Sequence, residues 1–155
     1  MYLVLEPGQV RSEYILTQSP IKNTVMENSD FIRIIYSDGV VALNGLHVRA
    51  RLHTSRVEQY FNKYKCTIDV TRSDKAINEL SRLEDAVLRQ SGVVNKTPVR
   101  RIANQLRLGS FKLFSDDQGG PGPRRQSIYV LKMSGVWETA EEYGVTHKFM
   151  EIVVP

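Results

Sequence analysis

The sequence predicts a mostly β domain with two helices, its strands closing into a small barrel, as a single domain over residues 1–155. Three observations carry that expectation. Short apolar runs recur along the chain, punctuated by Ser-Pro, Asp-Gly and Asn-Gly pairs that end strands. Clear helical spacing is confined to the middle of the sequence. Two long apolar runs then flank an acidic turn near the C-terminal end. With 41% hydrophobic and 25% charged residues the composition is ordinary for one core. A chain of this size buries roughly 70% of its unfolded surface without metal or disulfide support.

The elements follow in order. Tyr2 to Leu5 and Tyr14 to Thr17 read as short strand-type runs, broken by Pro7-Gly8 and Ser19-Pro20. Phe31 to Tyr36 is an isoleucine-rich strand that ends at Ser37-Asp38-Gly39 and resumes as Val40 to Leu43. Asn44-Gly45 predicts a tight hairpin, because the favoured two-residue turn needs positive φ at both positions. The returning strand alternates, with Leu46, Val48, Ala50 and Leu52 toward a core and His47, Arg49 and Arg51 away from it. Ser55 to Tyr64 has the spacing of a short helix, and Cys66 to Val70 that of a strand. Ser73 caps an amphipathic helix that Gly92 stops, with Ile77, Leu80, Leu83, Val87 and Leu88 as its stripe and Glu84 on its solvated face. Thr97-Pro98 opens a second helix, stopped by Gly109, with Arg100, Arg101 and Arg107 outward. Ser110 to Phe114 is a strand, and Asp116 to Gln126 is a loop rich in glycine and proline. Ile128 to Trp137 and Val145 to Val154 form a long hairpin, with a bulge or bend at Gly135. In its first strand Tyr129, Leu131, Met133 and Trp137 share one side.

Charge is unevenly placed. The formal net charge is +4, yet Met1 to Asn95 carries twelve basic residues against eleven acidic ones. Lys96 to Lys132 carries eight against two, and the remainder one against four. A cationic segment inside a folding domain repels itself, and an anionic ligand relieves that repulsion; a solvated basic surface is the plain alternative. No run approaches the ~18 apolar residues of a membrane span, and the start is too short and too weakly basic for a signal peptide. The lone Cys66 allows no intrachain disulfide, which points to a reducing intracellular compartment, the cytoplasm or nucleus of a host cell.

Strands, a central helical segment and a final strand pair fit a closed barrel of the oligonucleotide-binding (OB) kind. An α+β open sheet with helices on one face is the alternative, and a β-sandwich fits the long helix poorly. Val130-Leu131-Lys132-Met133-Ser134-Gly135-Val136-Trp137-Glu138, followed by Gly144-Val145-Thr146-His147-Lys148-Phe149, resembles the closing hairpin of single-stranded-DNA-binding proteins of DNA viruses and phages. The segment Ile77 to Leu88, then Lys96-Thr97-Pro98-Val99, is similar to their helical connector. The resemblance covers the C-terminal half and implies an OB fold that binds single strands. Where many bacterial and phage members carry an acidic recruiting tail, this chain has Glu151-Ile152-Val153-Val154-Pro155.

Residues suited to enzymatic chemistry are scattered. His47, His53 and His147 stand apart from the single Cys66, a poor zinc set. Asp38, Asp69, Asp74, Asp116, Asp117 and Glu138 suit turns and helix caps better than a nuclease metal site. Gly119-Gly120-Pro121-Gly122-Pro123 lacks the Lys-Ser/Thr ending of a phosphate loop. The expectation is a protein that is not an enzyme and holds no metal or cofactor. Single-strand binding needs only cations that follow phosphates and rings that stack on bases. Arg33, Arg49, Arg51, Lys112, Arg124, Arg125 and Lys132 are the candidate cations. Tyr36, Tyr129 and Trp137 are the candidate rings, with Tyr60, Phe114 and Tyr143 beside them; about half of such rings belong to a core. The partner expected is single-stranded DNA, or RNA, with self-association up to a small ring and no membrane. The competing reading is a capsid or scaffold subunit whose apolar strand Phe149 to Val154 adds to a neighbour's sheet.

Overall fold

The computed structural model describes residues 3–114 and 127–153. Along the chain lie β1 (Ile15–Thr17), β2 (Ile21–Lys22), β3 (Asp30–Ser37), β4 (Ala42–Asn44), β5 (Leu46–Ala50), β6 (Thr54–Tyr60) and β7 (Lys63–Ile68). Then come α1 (Asp74–Gln90), β8 (Thr97–Val99), α2 (Arg101–Arg107), β9 (Ser110–Phe114), β10 (Ser127–Glu138) and β11 (Glu142–Val153). The sheet runs β1-β3-β10-β11-β9-β7-β6, with β2 and β4 beside β3, β5 beside β10 and β8 beside β11.

The mostly β character and the two helices are as expected, but the barrel does not close. β1 and β6 end the path without pairing with each other. The long hairpin β10–β11 sits at the centre of the sheet, not at a seam. One half of β10 pairs with β3 and the other half with β5, so successive strands share one long edge. The open α+β sheet is therefore the arrangement that forms. β11 lies between β10 and β9, where Phe149 already pairs with Leu131 and Leu113.

One face of this sheet makes the core. Ile32, Ile34 and Tyr36 of β3, Leu46, Val48 and Ala50 of β5, Leu131, Met133 and Val136 of β10, and Val145 and Phe149 of β11 share it. The strand alternation in β3 and β5 dictates that choice, since every second residue there is apolar. Ile77, Leu80, Leu83, Val87 and Leu88 of α1 and Ile102 and Leu106 of α2 cover the same core. α1 forms because its apolar residues recur at helical spacing with no glycine or proline inside, with Asp74 in its first turn and Arg89 in its last.

Several local expectations change. Asn44-Gly45 is not a two-residue hairpin: β4 pairs with β3, whereas β5 pairs with β10. Gly45 alone takes positive φ there, +89°, and a side chain would meet the Met133 carbonyl at 3.0 Å. The residue serves a change of partner, not a return. Residues 54–60 form a strand, not a helix, laddered to β7 through a two-residue turn at Phe61 and Asn62. Thr54, Tyr60 and Val57 favour strands, and the available partner overrides helical spacing. Ser73 holds the N-cap position of α1 as expected, but its Oγ makes no capping bond and accepts from the His53 amide at 2.9 Å instead.

Thr97-Val99 is a strand parallel to β11, so the second helix starts later, at Arg101. Its cap comes from α1. Glu84, expected in solvent, is fully buried and accepts from the Ile102 amide at 2.9 Å and the Ala103 amide at 3.0 Å. Those amides would otherwise be unpaired donors at the helix start. Burial lifts the Glu84 carboxyl above its ordinary value near 4.5, despite the two amide donors that oppose the shift. Its ionisation therefore costs folding free energy: stability falls as pH rises from about 4.5 through the folded-state value, and then levels. We expect Glu84→Ala to destabilise the chain by ~2–4 kcal/mol, since two buried amides lose their acceptor. Glu84→Gln should lose less and should remove that limb of the stability–pH profile, read by urea denaturation at several pH values.

Candidate functional site

Strand register also defines the opposite face. Ladder partners share a face, and successive residues alternate. On that basis Arg33 of β3, His47 and Arg49 of β5, Lys132 of β10, Lys148 of β11, Lys112 of β9, Lys63 and Lys65 of β7 and Arg56 of β6 all lie on the side away from the core. The acids among the strand residues there are Glu58, paired with Arg56 at 3.2 Å, and Glu142. Lys132 stands between His47 and Lys148 in one cross-strand row. Burial and the neighbouring Lys132 charge hold the His47 imidazole below its ordinary range.

Trp137 reaches this face through a bulge. Met133 pairs with His147 but Gly135 pairs with Thr146, so Ser134 is an extra residue. The extra residue reverses the alternation that would have kept Trp137 beside Met133. Val136 turns into the core instead, and Trp137 joins Phe31 and Arg33. Two glycines make room for the rings. A Cβ on Gly135 would lie 2.3 Å from the Ile32 carbonyl and 2.6 Å from the Phe31 ring. One on Gly144 would lie 2.6 Å from the Trp137 indole. Both rings thus lie over bare backbone.

Phe31 and Trp137 line a groove of about 450 Å³ together with Lys22, Arg33, Arg101, Thr146, His147 and the segment 23–26. Among the described residues no carboxylate lines it. The Arg33 guanidinium lies 5.9 Å from the centre of the Phe31 ring and donates to Asn44 Oδ1 at 3.0 Å. The Arg101 guanidinium covers the indole at 4.6 Å, a cation–π pair. Trp137 is 3% exposed and, among the described residues, its Nε1 has no hydrogen-bond acceptor. His147 lies 2.6 Å from the Gln105 amide, and burial lowers its proton affinity, which favours the neutral ring. The groove can therefore accept a planar anionic ligand, with cations at its rim and apolar rings beneath.

The sequence candidates divide accordingly. Arg33, Arg49, Lys112 and Lys132 come together on one face. Arg51 does not join them: β5 ends at Ala50, and the Arg51 guanidinium grips Glu6 at 2.7 and 3.2 Å. That pair draws the Glu6 carboxyl below its usual range, and Arg49 lies 3.8 Å from the same carboxylate. Tyr36 is a core ring whose hydroxyl accepts from the Arg11 amide at 3.1 Å. Tyr129 packs edge-on against Phe111 at 5.2 Å, also on the core side, and Tyr143 packs against the same core. Trp137 is on the basic face but sealed beneath Arg101. Arg124, Arg125 and the side chain of Phe114 lie outside the described residues.

Sequence reasoning missed Phe31 and Arg101 as site residues. Phe31 was discoverable, since it alternates with Ile32 exactly as Arg33 does. Cys66 is buried, its thiol pushed up to about 12 by desolvation, and it lies in the core away from this face. Among the described residues no three of histidine, cysteine, aspartate and glutamate gather as a metal site requires, and no helix is long and apolar enough to cross a membrane. Compared with protein-family models, curated proteins and solved structures, the chain matches none.

Gly135→Ala should lower stability by ~1–3 kcal/mol, because backbone flanks the added methyl and cannot yield; a thermal melt checks it. Arg101→Ala should uncover the sole tryptophan and shift its emission to the red. Cys66 should resist thiol reagents in the folded chain and react on denaturation.

Proposed function

We propose that this chain is a non-enzymatic single-stranded-DNA-binding protein acting in replication or recombination. The observation that carries the reading is the segregation of Arg33, Arg49, Lys132, Lys148, Lys112 and Lys65 onto the face that also holds the Phe31–Trp137 groove. A polyanion laid across this face exchanges its counterions for fixed cations, a sequence-independent gain. Bases turned toward the sheet meet flat rings, each contact worth ~1–3 kcal/mol. Arg101 moves from the indole to a phosphate as a base enters, which uncovers the ring only when ligand is present. RNA satisfies the same contacts, and competition between matched DNA and RNA strands separates the two.

Labelled oligo-dT should bind with affinity that falls steeply with salt, the logarithmic slope being ~0.7 per phosphate neutralised. Arg33→Ala with Lys132→Ala should weaken every sequence alike and reduce that slope. Absence of binding at low salt, or binding indifferent to salt, overturns the proposal. Emission from Trp137 should change as the groove fills.

A further inference from the structure

The tip of the β6–β7 hairpin carries an arrangement that folding does not require. Phe61 is 92% exposed and holds φ at +54°, and its neighbour Tyr60 is 60% exposed. The turn has two residues between the paired Tyr60 and Lys63, and only the first has positive φ. Positive φ at the first position of a two-residue hairpin turn favours glycine. A bulky side chain there is strained. Glycine would remove both the strain and the exposed ring, yet phenylalanine stands there. Behind the tip, Lys65 and Lys112 form a cross-strand pair. With Tyr60, Phe61 and Lys63 they line a pocket of about 640 Å³, and among the described residues no carboxylate lines it.

We propose that this hairpin tip is a second stacking subsite for the same single strand, with Phe61 and Tyr60 taking bases and Lys65 and Lys112 the adjoining phosphates. The inference rests on the function proposed above. Lys65 and Lys112 share the face of Lys132 and Arg33, so the basic surface is continuous from one ring site to the other. From β3 to β7 the path crosses four interstrand spacings, ~19 Å, and shifts about five residues along the strands, ~16 Å. The sites therefore lie ~25 Å apart, which an extended strand bridges with a few nucleotides. That continuity favours a polymer over a membrane surface, which would meet the tip alone.

The test uses the full chain and a labelled dT oligomer of about 20 nucleotides, longer than the ~4–16 nucleotides a single-strand domain covers. Phe61→Gly relaxes the turn, so its melting temperature should equal or exceed that of the unaltered chain. Its dissociation constant should nevertheless rise by about 5- to 150-fold. Lys65→Gln with Lys112→Gln should lower the salt slope by about 1.4, two phosphates' worth. If Phe61→Gly binds the oligomer as tightly as the unaltered chain, the second subsite is wrong while the proposed function stands. If the unaltered chain binds no oligomer, both fall. Loss of binding to phosphatidylserine vesicles, or of self-association, with oligomer affinity intact overturns the inference in favour of that other occupant.

Discussion

A single additional residue in the central ladder determines what each face of the sheet carries. β10 and β11 run together over twelve residues each, and Ser134 is the only place where their register slips. Without it, period-two alternation would drive Trp137 into the core beside Met133 and turn Val136 outward. With it, the smaller Val136 fills the core and the indole lies on the basic side. The slip is anchored where Gly135 passes beneath Phe31, since no other residue type fits against the Ile32 carbonyl at that distance. Groove, ring floor and the seat for Arg101 all follow from that one offset.

Charge sorting is the second consequence of the ladder. The stretch up to Asn95 is almost neutral on average, yet Arg33, Arg49, Lys63 and Lys65 from it all face one way. Asp30 and Glu138 fall on the other parity, paired across β3 and β10, and Lys96 neutralises Glu138 at 3.0 Å. The basic stretch from Lys96 to Lys132 contributes Arg101, Lys112 and Lys132 to the same side. A balance summed along the sequence hides this separation, because alternation, not proximity in the chain, assigns each charge to a face.

How much was legible follows from which interactions are local. The stripe of α1, the alternation of β3 and β5, and the long closing hairpin depend on neighbours within a few residues, and all were readable. Partner choice was not: Asn44-Gly45 satisfies every local rule for a hairpin, but β10 offers β5 a longer ladder than β4 can. Tyr36 and Tyr129 looked available as stacking rings because a tyrosine's side of the sheet depends on register with distant strands. Thr97-Pro98 carried a helix-start signal, yet the carboxylate that caps α2 lies on another helix, 18 residues before the amide it holds. Arg33 and Lys132 were found because alternation alone exposes them; Arg101 was missed because its value lies in reaching a ring on a strand with which it shares no local pattern.

The Glu84 bond to α2 also bears on the order in which the chain acquires structure. Seven residues are too few to hold a helix in water, so α2 cannot persist before its first turn finds an acceptor. That acceptor is in place only once α1 has formed and docked. The two helices are therefore gained and lost as one cooperative unit, and the segment bearing Arg101 inherits its rigidity from a helix that never touches the groove.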